Sequence, residues 1–177
     1  MSQNIIIWLP TPMGDAIMAT PALRSIRNSF RSDKIFFYAN KTAAQILSGT
    51  PFCDEWIIQQ SDNPFQAAAK LKKYNFSSAI LLKNSFSSAL TIFLAGIKTR
   101  TGFARDCRGI FLNNKLYAEK KSALKYKPLS AIDYYLKIAA HLGCEISSRK
   151  TELAADEDDK KTVIEKFGIA INSGRPL

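Results

Sequence analysis

Three stretches of this chain carry residue types able to do chemistry. In 10–15, Pro-Thr-Pro-Met-Gly-Asp, Gly14 is followed by Asp15. A carboxylate there can act as a general base, taking a proton from an attacking hydroxyl. The same residue is also suited to cap a helix. A helix N-terminus would keep it ionised while weakening its basicity. In 83–88, Lys-Asn-Ser-Phe-Ser-Ser, the polar residues Asn84 and Ser85 stand beside Phe86. Ser85 can cap the helix that follows, and the free N–H groups of that helix start can hold an oxyanion or a sugar hydroxyl. In 98–109, Lys98, Arg100, Arg105 and Arg108 put four cations within eleven residues. Arginine's planar fork matches phosphate or carboxylate. A solvated basic loop is the plainer alternative.

The elements that must position these residues follow from the pattern of apolar side chains. Residues 4–9 form a continuous apolar, β-branched run, as expected of a strand buried on both faces of a parallel sheet. Apolar positions at helical spacing follow over 15–30. Pro21 is awkward inside a helix, so Thr20 is expected as an N-cap with Pro21 at the first helical position, after a short turn. The alternation then repeats: strands at 34–39, 55–59, 78–82 and 98–103, and helices at 41–48, 63–74 and 85–95. Units of this length imply right-handed crossovers and an α/β, doubly wound parallel sheet. Beyond it come an extended excursion over 110–119, a helix over 129–142 ended by Gly143, and a charged helix over 156–167. In such a sheet, ligands bind at the carboxyl ends of the strands. That rule selects the loops 10–15, 83–88 and 102–109. The first loop lacks G-x-G-x-x-G, which disfavours a dinucleotide-dependent dehydrogenase.

Composition narrows the field further. Of 177 residues, 46% are hydrophobic, enough for one good core. The net charge of +10 points to an anionic partner: nucleic acid, a phosphorylated small molecule or an acidic membrane face. No nucleic-acid recognition motif and no interleaving of basic with aromatic residues is evident, so no nucleic acid is expected as partner. Cys53, Cys107 and Cys144 are far apart and odd in number, which fits reduced thiols rather than disulfides or zinc. His141 has no partner at ligand spacing and is expected at a helix end, in a surface or capping role. With no basic leader at the N-terminus and no apolar run long enough to span a bilayer, a cytoplasmic location is expected, with peripheral contact to the inner membrane left open.

Taken in order, the motifs resemble glycosyltransferase family 9, the ADP-heptose:lipopolysaccharide heptosyltransferases, and most of all the heptosyltransferase II branch. The carrying residues are Leu9-Pro-Thr-Pro-Met-Gly14-Asp15 with Thr20-Pro-Ala-Leu-Arg24, then Leu82-Lys-Asn84-Ser85-Phe86-Ser-Ser88-Ala-Leu90, Ala95-Gly96-Ile97, and Arg100-Thr-Gly102-Phe103 running to Arg108-Gly and Leu112-Asn113. The resemblance implies a two-domain GT-B enzyme of which this chain is the Rossmann-like N-terminal half. Residues 1–168 would form the acceptor-side domain, and 169–177 a linker toward a donor-binding domain outside this chain. It further implies inverting, metal-independent and cofactor-free transfer of heptose from ADP-heptose to the Kdo or heptose of lipid A. Asp15 would be the base, and Gly14, Asn84, Ser85, Phe86, Arg100, Arg105 and Arg108 the substrate-binding residues. Without its donor half the chain is expected to be inactive. The alternatives are a non-catalytic carbohydrate- or anion-binding module, or a family 9 transferase using another nucleotide-sugar.

Overall fold

A computed structural model of the chain describes residues 2–122, 125–154 and 157–167. The main sheet has six strands, all parallel: β1 (Asn4–Trp8), β2 (Lys34–Ala39), β3 (Glu55–Ile58), β4 (Ser78–Leu81), β5 (Thr99–Phe103) and β6 (Asn114–Leu116). Their spatial order is β3-β2-β1-β4-β5-β6. In β1 and β2 successive side chains alternate between two cores. Ile5, Ile7, Ile35 and Phe37 enter one; Ile6, Trp8, Phe36 and Tyr38 enter the other. This two-sided burial is why both strands read as unbroken apolar runs.

Helices α1 (Met13–Met18), α2 (Thr20–Ser29), α3 (Lys41–Leu47) and α6 (Ala131–His141) accompany the first core. Helices α4 (Pro64–Lys72) and α5 (Phe86–Leu94) cover the second. Side-chain caps start several of them. Asn40 accepts from Ala43 N–H, Asn63 from Phe65 N–H and Ser130 from Asp133 N–H. Helix α7 (Glu157–Phe167) and a hairpin of β7 (Lys120–Ser122) with β8 (Lys125–Tyr126) complete the described elements. The expected stop at Gly143 is present, with φ of +79°. His141 is in the last turn of α6, its ring 2.8 Å from Asn114 Oδ1. The expected linker over 169–177 lies outside the described residues.

Two expectations are corrected. Thr20 does not cap α2. Ala19 holds that place with helical torsions, so α1 passes almost directly into α2. Pro21 has no N–H to offer Ile17 O, the acceptor four residues back. The Thr20 hydroxyl donates to that carbonyl instead, at 2.7 Å. The stretch 110–119 is more than an excursion: a 3-10 turn (Arg108–Phe111) leads into β6, which extends the sheet.

After α6 the chain returns across α2. Arg24 donates to Ser148 O at 2.9 Å and to Lys150 O at 3.3 Å, and pairs with Glu152. Glu152 N–H donates to Thr20 Oγ1 at 2.9 Å. Gly49 makes room for this strap, since a Cβ there would overlap the Ala154 carbonyl. Gly49→Ala should therefore loosen the strap, speeding Glu152 amide exchange by about tenfold while Ile6 in β1 is unaffected; exchange mass spectrometry or NMR reads both.

Candidate functional site

Strand order reverses between β1 and β4, the two central strands. The crevice beyond their carboxyl ends is the topological switch point, where open α/β sheets bind ligands. The loops 10–15 and 83–88 leave from those two strands. Backbone bonds hold them together: Leu82 and Lys83 N–H both donate to Trp8 O, at 3.0 and 3.2 Å.

Asp15 is not the N-cap. Helix α1 starts at Met13 with Pro12 as cap, and Asp15 lies in the first turn, half-buried. Among the described residues its carboxylate has no hydrogen-bond or ion-pair partner. Its charge reaches α6: burial first, and then Asp15, push the Tyr135 phenol well above its ordinary range. Gly14, beside it, is exposed, with nothing near its missing Cβ.

Asn84 is exposed at the crevice, and two donors fix its side chain. Arg108 Nη2 and Tyr134 Oη both donate to its Oδ1, at 2.6 and 2.8 Å. That orientation leaves the Asn84 NH2 facing away from both donors. Ser85 caps α5, its Oγ accepting from Ser88 N–H at 3.1 Å. Phe86 lies on the outer side of α5, edge-on to Phe111.

The four cations do not act as one group. Arg108 is fully buried. Its Nε donates to Phe103 O at 2.7 Å and its Nη1 to Lys83 O at 2.6 Å, besides the bond to Asn84. Burial depresses its pKa, the cost of taking a charge from water. Gly102 helps to admit it: a Cβ there would be 3.4 Å from Arg108 Nη2 and 3.2 Å from Leu81 Cβ. Arg108 thus ties the loop after β4 to the loop after β5, with its side chain enclosed between them. Arg100 is near the amino end of β5. There it donates to Phe111 O and Ile97 O, both at 2.6 Å, and stacks on Phe93. Arg105 alone remains at the ligand edge, half-buried.

Arg105 lines a pocket of about 180 Å³ together with Phe103, Glu119, Lys127, Tyr134 and Lys137. Lys137 and Lys127 bind Glu119 at 2.7 and 3.3 Å and hold its carboxyl below the usual carboxylate range. Tyr134 stacks on Phe103 at 4.1 Å. The pocket has three cations against one carboxylate and suits an anion. Tyr134, Lys127 and Lys137 are not recoverable by motif spacing, because α6 brings in Tyr134 and Lys137, and the segment after β8 brings in Lys127, from a distant part of the chain. The one sequence signal is the amphipathic pattern of α6, which buries Tyr135, Leu136, Ile138 and Ala139.

A doubly wound parallel sheet with the Asp15 carboxylate beyond the end of β1 and a cationic pocket beside β5 and α6 has the make-up of an α/β transferase domain. The chain belongs to glycosyltransferase family 9 (heptosyltransferase), whose family model matches residues 65–177. It is similar to lipooligosaccharide heptosyltransferase 2 of Campylobacter jejuni serotype O:6, at 27% identity over 141 residues, covering 78% of this chain and 41% of that protein. It is also similar to lipopolysaccharide heptosyltransferase 2 of Escherichia coli K12, at 24% identity over 189 residues, covering 99% of this chain and 52% of that one. The solved structure of E. coli ADP-heptose LPS heptosyltransferase II matches with a TM-score of 0.73 and 24% identity, over 98% of this chain and 52% of its own. That of a Veillonella parvula family 9 glycosyl transferase matches at 0.72 and 17%, over 96% and 51%. The fold is thus the Rossmann-like fold of a GT-B heptosyltransferase half, and the chain spans about half the length of the relatives it matches.

Two measurements check the site's construction. Arg108→Lys keeps a charge but cannot serve three acceptors in one plane. It should cost about 3 kcal/mol in urea unfolding, and Arg105→Ala less than about 1. At pH 8, alkylation should reach exposed Cys107 first. Cys144 is buried, and burial and then Asp54 push the Cys53 thiol up to about 12, leaving it protonated and unreactive.

Proposed function

We propose that this chain is the acceptor-binding half of an enzyme that transfers heptose from ADP-heptose to the inner core of lipopolysaccharide, on Kdo or heptose of lipid A. In this reading Asp15 takes the proton from the acceptor hydroxyl. As that proton leaves, the hydroxyl oxygen bonds to the anomeric carbon of the heptose, the bond to ADP breaks and the configuration inverts. The observation that carries the reading is the Asp15 carboxylate, without a hydrogen-bond or ion-pair partner among the described residues, at the sheet's switch point. A base must be free to accept, and a carboxylate already spent on a cap or an ion pair is a weaker one.

Two further features support it. The Asn84 NH2 group is available as a donor to a sugar hydroxyl. The Arg105, Lys127 and Lys137 pocket suits the carboxylate or phosphate of an anionic sugar. Arg108 enters only by holding Asn84, and Arg100 has no part. Residues 1–168 constitute the acceptor side, and 169–177 lead toward donor-binding residues in the half that the relatives have and this chain does not span. The reaction needs no metal or cofactor, and the protein works in the cytoplasm.

The test is Asp15→Asn in an active transferase containing this chain, assayed with ADP-heptose and a Kdo–lipid A acceptor. Transfer should fall by about 10²–10⁴-fold with an unchanged melting temperature. Normal rates in that variant would remove Asp15 as base, and transfer only from another nucleotide-sugar would keep the mechanism but replace the donor.

A further inference from the structure

We propose that the α4–α5 side of the sheet is a docking surface for an anionic lipid bilayer. Helices α4 and α5 pack against one another and cover the same core. From Asn63 through Arg105 the sequence has seven lysines and arginines and no aspartate or glutamate, and Asp62 and Asp106 bound the stretch. Lys72, Lys73 and Lys98 are exposed. Lys72 and Lys98 line a single cleft where α4 and α5 end.

Beside these cations is an apolar stripe. Phe86, Leu90 and Phe93 recur on one face of α5 at i, i+4 and i+7. Phe86 and Phe93 are 45% and 47% exposed, and Ile110, in the adjoining 3-10 turn, 73%. Phe111 lies between the two phenylalanines at 5.2 and 5.4 Å, joining them into one patch. Exposed apolar side chains flanked by lysines match the boundary between acyl chains and anionic headgroups. Charge decides against the other occupants. A second copy of this face would bring like charges together. A nucleic acid needs open ring faces for its bases, but Phe111 stands between Phe86 and Phe93, and the Arg100 guanidinium covers Phe93. The proposal is independent of the transferase reading.

The experiment is co-sedimentation of the chain with vesicles of phosphatidylcholine alone and of phosphatidylcholine with phosphatidylglycerol at about one third of the lipid. Binding should need the anionic lipid and weaken at high salt. Lys72→Glu with Lys98→Glu should cut partitioning by at least about tenfold, on a scale of about fivefold per lysine. Phe93→Ser with Ile110→Ser should also cut it by about tenfold. Lys41→Glu with Lys150→Glu, off this face, should cost no more than about threefold. Absence of binding, equal binding to neutral vesicles, or equal losses in the two charge-reversal pairs would overturn the proposal. Phenylalanine-dependent retention of single-stranded RNA without vesicle binding would overturn it too and reassign the face.

Discussion

Arg108 carries its charge into the interior with no carboxylate bonded to it among the described residues. Its donors are met instead by Phe103 O, Lys83 O and Asn84 Oδ1. A buried guanidinium is tolerable only when its hydrogen bonds are made. The arrangement is therefore close to all-or-none: lose one acceptor and the charge is left uncompensated. Three elements meet on it, the loop after β4, the loop after β5 and, through Tyr134, helix α6. The turn that delivers it has Asp106 and Cys107 in left-handed conformations, with φ of +52° and +59°. Each costs about 1–3 kcal/mol, and such turns persist where the surroundings over-determine them. Here the anchored arginine next in sequence does so.

The ligand edge thus has a bonded wall and two groups at its margins. Asn84, Arg108, Tyr134 and Phe103 form a bonded, stacked wall. Asp15 and Arg105 stand at its margins on short pieces of chain, a six-residue helix and a tight turn. The framework groups of the wall are spent on one another, and Asp15 has no hydrogen-bond or ion-pair partner among the described residues. That division suits a group-transfer site, where positioning by fixed donors supplies much of the effect.

Much of the fold is legible in the sequence because β1, β2 and β4 are buried on both faces and must be apolar throughout. The caps at Asn40, Asn63 and Ser85 mark helix starts as plainly. Arg100 shows where reading by proximity fails. It is close in sequence to Arg105, but β5 runs between them in extended form, at about 3.3 Å per residue, and carries them to opposite ends of the sheet. Asp15 lies in the first turn and not at the cap, because Pro12 already starts the helix. For Tyr134 and Lys137 the only local signal is the amphipathic pattern of their helix, which does not say what they face. Their place is set by α6 packing on α2 and β5, which a pattern along the chain does not encode.

Strand β1 is hydrogen-bonded on both sides, and its partners arrive at very different times. Ile5 pairs with Ile35 in β2 and with Ser78 in β4. A parallel sheet centred on its first strand has high contact order, so loop closure precedes most of the reward. During synthesis, at about 5–20 residues per second, β1 must wait seconds for β4 with one edge unpaired. Its Ile-Ile-Ile-Trp sequence is the kind that pairs with a wrong partner in that interval. The unbroken apolar strand that makes the sheet's centre so well buried is also the segment for which the nascent chain most needs a chaperone.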